Sequence, residues 1–222
     1  MMKYILALFL FFFNIHSASA AVDSQEARAW AKNKGNEILQ ILSSQDLSYK
    51  HRALDQIMEQ DIDLDHAARF VVGKYWRQMS DEQKQQYVPL FKRYLSASYK
   101  SFPLKIEENS IHFKIDKVLQ SAAGTDIFCT ILIDKVEQHV DDQSKGGIKV
   151  IFTLVKNNGK VQVRDLKIEE SSLLLSLRER FYKMIHVDSD DELDWFMEDF
   201  STLVADMEEK NEQDAYNDSH KM

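Results

Sequence analysis

The chain has 222 residues, with 28 Lys+Arg against 36 Asp+Glu and a formal net charge of −8. That acidic surplus disfavours nucleic acid and anionic membrane surfaces as bulk electrostatic partners, leaving contact through a local patch. A single cysteine, Cys129, excludes an intramolecular disulfide and a Cys-based metal cluster, and the two prolines and six glycines mark no internal linker.

Lys3 is followed by an apolar run, Tyr4–Ile15, broken only by Asn14, and then by Ala18-Ser19-Ala20, the small-x-small pattern of a secretory cleavage site. At ~1.5 Å per residue the run reaches about 18 Å, short of a roughly 30 Å hydrocarbon core, so 1–20 reads as a cleaved signal peptide and not a spanning anchor. No cysteine lies near the junction to carry a lipid. The mature protein is therefore expected to begin at Ala21 and to be a soluble, exported product.

Asp23-x-x-Glu26 reads as a capping box opening a helix whose inner side is Ala27, Trp30, Ala31, Ile38, Leu39 and Leu42. A second helix is expected after Ser48, presenting Leu54, Ile57 and Met58. Asp63 caps a third, with Leu64, Ala67, Ala68, Val71, Val72, Tyr75 and Trp76 facing inward. Ser80-x-x-Gln83 is another capping box, and Tyr87, Leu90, Phe91, Tyr94, Leu95, Ser98 and Phe102 keep helical spacing until Pro103 stops the helix.

The period then changes to two. Ile111, Phe113 and Ile115 alternate with polar residues, as do Ile127, Cys129, Ile131 and Ile133, then Ile148, Val150, Phe152 and Leu154, then Val161 and Val163. Ala123-Gly124-Thr125 and Asn157-Asn158-Gly159 are turn signals, and Asp141–Gly147 is a polar loop. Ser171–His186 and a final helix capped by Ser189-x-x-Glu192 follow, the last with Leu193, Phe196, Met197, Phe200, Leu203, Val204 and Met207 on one stripe. Residues 208–222 read as a disordered polar tail. The expected fold is α+β: a helical N-terminal half, a curved antiparallel sheet of four strands or more, and C-terminal helices, in one domain over 21–207.

Chemistry is sparse. Of the seven histidines, His51, His66, His112, His139, His186 and His220 follow the signal segment, and none has metal-ligand spacing. There is no nucleophile elbow and no Gly-rich phosphate loop. Cys129 sits mid-strand on an apolar face, where it acts as a small hydrophobe. Hydrophobic excess stands out instead, above all Leu173-Leu174-Leu175. Periodicity alone leaves two readings open, a filled core or a cavity for an apolar ligand.

The run Ala68-Arg69-Phe70-Val71-Val72-Gly73-Lys74-Tyr75-Trp76-Arg77, then Ser80-x-x-Gln83 and Phe91-x-x-x-Leu95-x-x-x-Tyr99, resembles the MlaC/toluene-tolerance family of periplasmic phospholipid-binding proteins. A second block, Val163-Arg164-Asp165-Leu166-Lys167-Ile168-Glu169-Glu170-Ser171-Ser172-Leu173, followed by Arg178 and Phe181, is similar to the family's second signature. Glu170-Ser171 stands where Gly-Val is usual, removing a glycine at a strand-to-helix turn, and Val161 and Leu177 stand where Trp and Tyr are usual.

The resemblance implies a monomeric, non-enzymatic periplasmic shuttle that moves a glycerophospholipid between an outer-membrane lipoprotein complex and an inner-membrane ABC transporter complex, maintaining outer-membrane lipid asymmetry. It implies no cofactor and no metal. By the same resemblance, Val72, Trp76, Leu95 and Tyr99 would face a cavity from the helical half, and Ile131, Ile133 and Phe152 from the sheet. Ser172, Leu173 and Leu174 would border the fifth helix, and Phe200 and Leu203 would close the end. Gly73 and Asp165 are assigned to structure. The alternatives are an enzyme of the nuclear-transport-factor-like cone fold acting on a small hydrophobic substrate, and a scaffold with a filled core.

Overall fold

A computed structural model describes residues 20–101, 111–133 and 147–219. The segment expected to be a signal peptide, up to residue 19, together with Phe102, Pro103 and the 141–146 stretch, lies outside the described residues. Six strands form one sheet: β1 (Ala20–Ala21), β2 (Ile111–Ser121), β3 (Gly124–Ile133), β4 (Ile148–Asn157), β5 (Lys160–Ile168) and β6 (Ser171–Ser172). All pairings are antiparallel, in the order β2-β3-β4-β5-β6. Beyond the four strands read from the sequence, β1 and β6 are two-residue pieces too short to leave a periodic signal. β1 pairs Ala20 with Lys156 and Ala21 with Val155, continuing the lane that β3 leaves at Gly124.

The helices are α1 (Ser24–Ser43), α2 (Leu47–Asp61), α3 (Leu64–Val72), α4 (Asp81–Lys100), α5 (Leu173–Lys183) and α6 (Leu193–Ser219). Asp23 caps α1 by accepting from the amides of Gln25 and Glu26. Glu26 does not complete a capping box, because its carboxylate holds Lys156 Nζ at 2.8 Å. α2 begins before Ser48, since Asp46 accepts from Tyr49 N at 3.0 Å and so sets an earlier cap. The reciprocal box of Ser80 and Gln83 forms as read.

α3 stops at Gly73, where φ is +50, and a 3₁₀ turn (Gly73–Arg77) carries Tyr75 and Trp76. A Cβ at Gly73 would lie 2.4 Å from Tyr182 Oη and 2.7 Å from Arg178 Nη2. Close approach and left-handed backbone both demand glycine there. At the other end of α5 a π turn (Met184–Asp188) leads into Asp190 and Asp191, both left-handed, so α6 starts at Leu193 instead of being capped by Ser189. α6 also continues through the polar stretch to Ser219. Arg93 pairs with Glu208 at 2.6 Å and Asn211 donates to Ala97 O at 2.9 Å, so polar contacts to α4 hold a segment that lacks an apolar stripe.

Two separate cores result. Tyr87, Phe91, Tyr94, Phe181, Phe196 and Phe200 fill the space among α3, α4, α5 and α6, with the Phe181 ring centroid 5.1 Å from that of Phe200 and 5.6 Å from that of Tyr94. Tyr87, buried throughout, donates to Ala68 O at 3.1 Å, which satisfies its hydroxyl. The second core joins α1 to the sheet through Val22, Ala27, Ala31, Ile127, Cys129 and Leu154. Alanines at 27 and 31 keep this contact close. Gly35 continues it, since a Cβ there would meet the Phe113 ring at 2.8 Å.

Two bulges set the strand faces. In β2 the register shifts between Ile115 and Lys117, which brings Val118 opposite Ile127. In β5 it shifts at Arg164, so Val163 faces Leu154 while Asp165 faces Thr153. Beyond that point Leu166 lies opposite Phe152 and Ile168 opposite Val150. One extra residue thus reverses which side chains share the apolar face.

Candidate functional site

The register lays an unbroken apolar surface across four strands. Phe113, Ile131 and Ile148 form one row, Cys129, Val150 and Ile168 the next, and Ile127, Phe152 and Leu166 a third. At one end this face is sealed: Ile127 and Leu154 are fully buried beneath Ala27 and Ala31. Burial along the rest of the face is uneven: Phe152 and Leu166 beside Ile127 are half-buried, Cys129 and Val150 in the middle row are buried with Ile168 46% exposed at its β5 end, and at the other end Phe113 and Ile131 are half-buried and Ile148 is 39% exposed. α1 and α2 add Ile38, Leu39, Leu42, Leu54 and Ile57, all half-buried.

The result is a wedge, closed at Leu154 and open at Ile148. From Leu154 to Ile148 the apolar face runs six residues of strand, about 20 Å at ~3.3 Å each. Nonpolar contact is what such a surface offers a ligand, because its rows carry no charged side chain. Cys129 is buried, and burial pushes its thiol up to about 12, so it is no thiolate at neutral pH.

α2 is tied to α4 at a polar hub. Asp55 accepts from Lys100 Nζ at 2.8 Å, from Ser96 Oγ at 2.6 Å and from the Tyr99 hydroxyl, which also reaches His51 O at 3.2 Å. Burial opposes the Asp55 charge, yet these hydrogen bonds outweigh it and hold the carboxyl below its ordinary value. His51 is pushed the other way in charge terms: burial and nearby Lys100 lower its pKa, and its Nε2 is buried without a hydrogen-bond partner.

At the strand-to-helix turn, Asp165 accepts from Ser172 Oγ at 2.7 Å and from the amides of Leu166 (2.9 Å) and Leu174 (3.3 Å). It therefore orders the entry to α5, and Ser172 caps that helix through Leu175 N at 3.1 Å. Glu169 and Glu170 make the connecting turn with φ of +48 and +70. The position without its usual glycine thus adopts the left-handed conformation regardless. Glu169 helps by bonding Lys149 twice, through its own N–H to Lys149 O at 2.9 Å and through its carboxylate to Lys149 N at 2.7 Å.

The residues named from the sequence do not converge on one place. Ile131 and Phe152 stand on the wedge. Val72, Trp76, Leu95, Leu174, Phe200 and Leu203 belong to the helical core or pack on it, Phe200 stacked against Phe196 at 5.5 Å. Tyr99 is at the α2–α4 hub, Ser172 at the α5 cap, and Leu173 is 46% exposed. The Ile133 side chain lies outside the described residues. Sequence reasoning missed Phe113, Ile148, Val150, Leu166 and Ile168 as wall positions. The first three carry the alternation signal; the last two reach the face only through the bulge at Arg164.

Two open clefts lie elsewhere. One of about 450 Å³ borders Ser24, Arg28 and Val118, and one of about 350 Å³ lies between Arg180, Asp199 and Leu203. Among the described residues no three His, Cys, Asp or Glu converge to hold a metal, and no helix is long and apolar enough to cross a membrane.

Comparison with known proteins accords with this geometry. A phospholipid-binding protein from Ralstonia solanacearum, solved in complex with a phospholipid, has the same fold: the match covers 83% of this chain and 99% of that one, with a TM-score of 0.61 at 16% identity. No curated protein matches. The sequence model for the MlaC protein family matches residues 32–199, and the chain belongs to that family.

Proposed function

We propose that this protein binds a phospholipid by its acyl chains and carries it, as a periplasmic shuttle, between outer-membrane and inner-membrane complexes of a lipid-asymmetry pathway. The observation that carries this reading is the wedge, an apolar sheet face closed by α1 at one end and half-exposed at the other. Two acyl chains of about thirty methylenes at ~0.8 kcal/mol each amount to roughly 24 kcal/mol of transfer free energy. A term of that size holds a lipid out of water. The carrier needs only to match the membrane interior, and a face without charged anchors does so while allowing release. Family membership and the phospholipid-bound neighbour support the same assignment.

The cone-fold enzyme reading needs a polar pair on the inner face. Asp165 instead lies opposite Thr153 and is engaged by Ser172 and two amides, and Cys129 is held protonated. Solvent extraction and mass spectrometry of gently purified mature protein is the test. Phospholipid in near-stoichiometric amount is expected; material that is lipid-free and stays so on incubation with phospholipid vesicles refutes the carrier.

A further inference from the structure

The acidic chain carries one concentrated basic face, along the exposed side of α3 and the 3₁₀ turn. Arg69, Lys74 and Arg77 are exposed there, and Arg178 of α5 is half-exposed beside them. Aromatic rings flank Arg69, Lys74 and Arg178. The Arg69 guanidinium lies 5.5 Å from the Trp76 ring centroid, Lys84 Nζ 5.8 Å from the same centroid, and Lys74 Nζ 4.7 Å from that of Tyr75. Arg178 sits 5.1 Å from both Phe70 and Tyr182. Among the described residues, none of Arg69, Lys74, Arg77 or Arg178 forms an ion pair. Neighbouring carboxylates are otherwise engaged: Asp63 by Arg164, Asp65 by Lys92, and Asp191 by Tyr75 and His186. Glu82 and Glu179 are exposed nearby in sequence.

Cations that form no ion pair within contact distance among the described residues, Asp191 being the carboxylate that Lys74 acts on, make a directional electrostatic surface on a molecule of net charge −8. The remaining surface repels an acidic partner while this face attracts it, which orients encounter. A bilayer-docking face would combine cations with protruding apolar anchors. Here Phe70, Trp76 and Tyr182 are half-buried, and α3 and the 3₁₀ turn carry no large apolar side chain exposed by more than a third; Leu173 and Leu175 of α5 are exposed and come near Arg178 alone in sequence. Arg178 Nη2 donates to the Tyr182 hydroxyl at 3.1 Å, while the exposed guanidiniums of Arg69 and Arg77 present planar N–H edges suited to carboxylates. We propose that the face formed by Arg69, Lys74, Arg77 and Arg178 is a docking site for an acidic segment of a partner protein. This adds a recognition surface to the carrier reading, and its test does not require bound lipid.

Fluorescence anisotropy with a labelled oligoglutamate peptide provides that test, run beside co-sedimentation with phosphatidylglycerol/phosphatidylethanolamine vesicles. Wild-type protein should bind the peptide with an affinity that falls as salt rises. Arg69→Glu with Arg77→Glu should weaken it roughly tenfold or more, whereas Arg69→Lys with Arg77→Lys should retain most binding. The control Lys160→Glu with Lys210→Glu makes the same change in net charge at exposed sites elsewhere and should alter it less than about twofold. Absent wild-type binding, equal losses in both reversals, or a patch reversal that abolishes vesicle binding would each overturn the proposal. Lipid extracted from the same preparations separates the two ideas, because a wild type without lipid fails as a carrier whatever the peptide does.

Discussion

Ile131→Trp discriminates an open wedge from a filled core. Ile131 lies half-buried between Phe113 and Ile148, in the row at the open end of the sheet face. Indole exceeds the isoleucine side chain by about two methylenes of volume, so the substitution should displace about two methylenes of ligand, or ~1.6 kcal/mol. That corresponds to a roughly 15-fold loss of lipid affinity. Because the added bulk enters space open to solvent, unfolding stability should change by less than about 0.5 kcal/mol. Leu154→Trp at the sealed end is the contrast, since Leu154 is fully buried and overpacking there should cost about 1–3 kcal/mol. Phospholipid retained after partition against empty vesicles, measured alongside urea unfolding, reads both quantities. If Ile131→Trp keeps its lipid and loses as much stability as Leu154→Trp, the wedge is a core and the reasoning fails.

Glu170→Gly should stabilise the protein by about 1 kcal/mol in urea, because Glu170 holds the left-handed φ of +70, which a glycine adopts without cost; unchanged or lower stability would show the turn to be strain-free. Gly73→Ala should lose about 1–3 kcal/mol, since its Cβ would meet Tyr182 and Arg178 on a left-handed backbone. Stability should fall in two stages on acidification. His51 and His66 have lowered pKa values, chiefly from burial, so the unfolded chain takes up their protons first and stability is lost as pH drops below about 6.5. Asp55, also lowered, contributes above about pH 3.9 and loses that contribution as pH falls through its folded pKa. Denaturant midpoints across pH check this, and His51→Gln should blunt the first stage. Native Cys129 should resist a thiol reagent at pH 8 and react only after unfolding, given its burial and a thiol pushed to about 12.

The amino-acid order alone determines the local elements. Asp23, Asp63 and Ser80 cap helices where read, because a short side-chain acceptor beside free amides acts over only three residues. Asn158-Gly159 turns the β4–β5 hairpin with φ of +49 and +79, and the strand alternation marks Ile131 and Phe152 as residues of one face. Tertiary structure decided the rest. Whether an apolar helix face meets another helix or the sheet depends on docking between distant segments, and this placed Val72, Leu174 and Phe200 in a filled helical core instead of on the wedge. The bulge at Arg164 decided that Leu166 and Ile168, not Asp165, complete the apolar face; the alternation slips by one residue between Val163 and Leu166, but only the pairing with β4 shows that both halves share one face. α6 persists through a polar stretch because Arg93 and Ala97, over a hundred residues earlier, supply its partners. Short-range chemistry is written along the chain, whereas burial is a sum over neighbours that only the folded arrangement brings together.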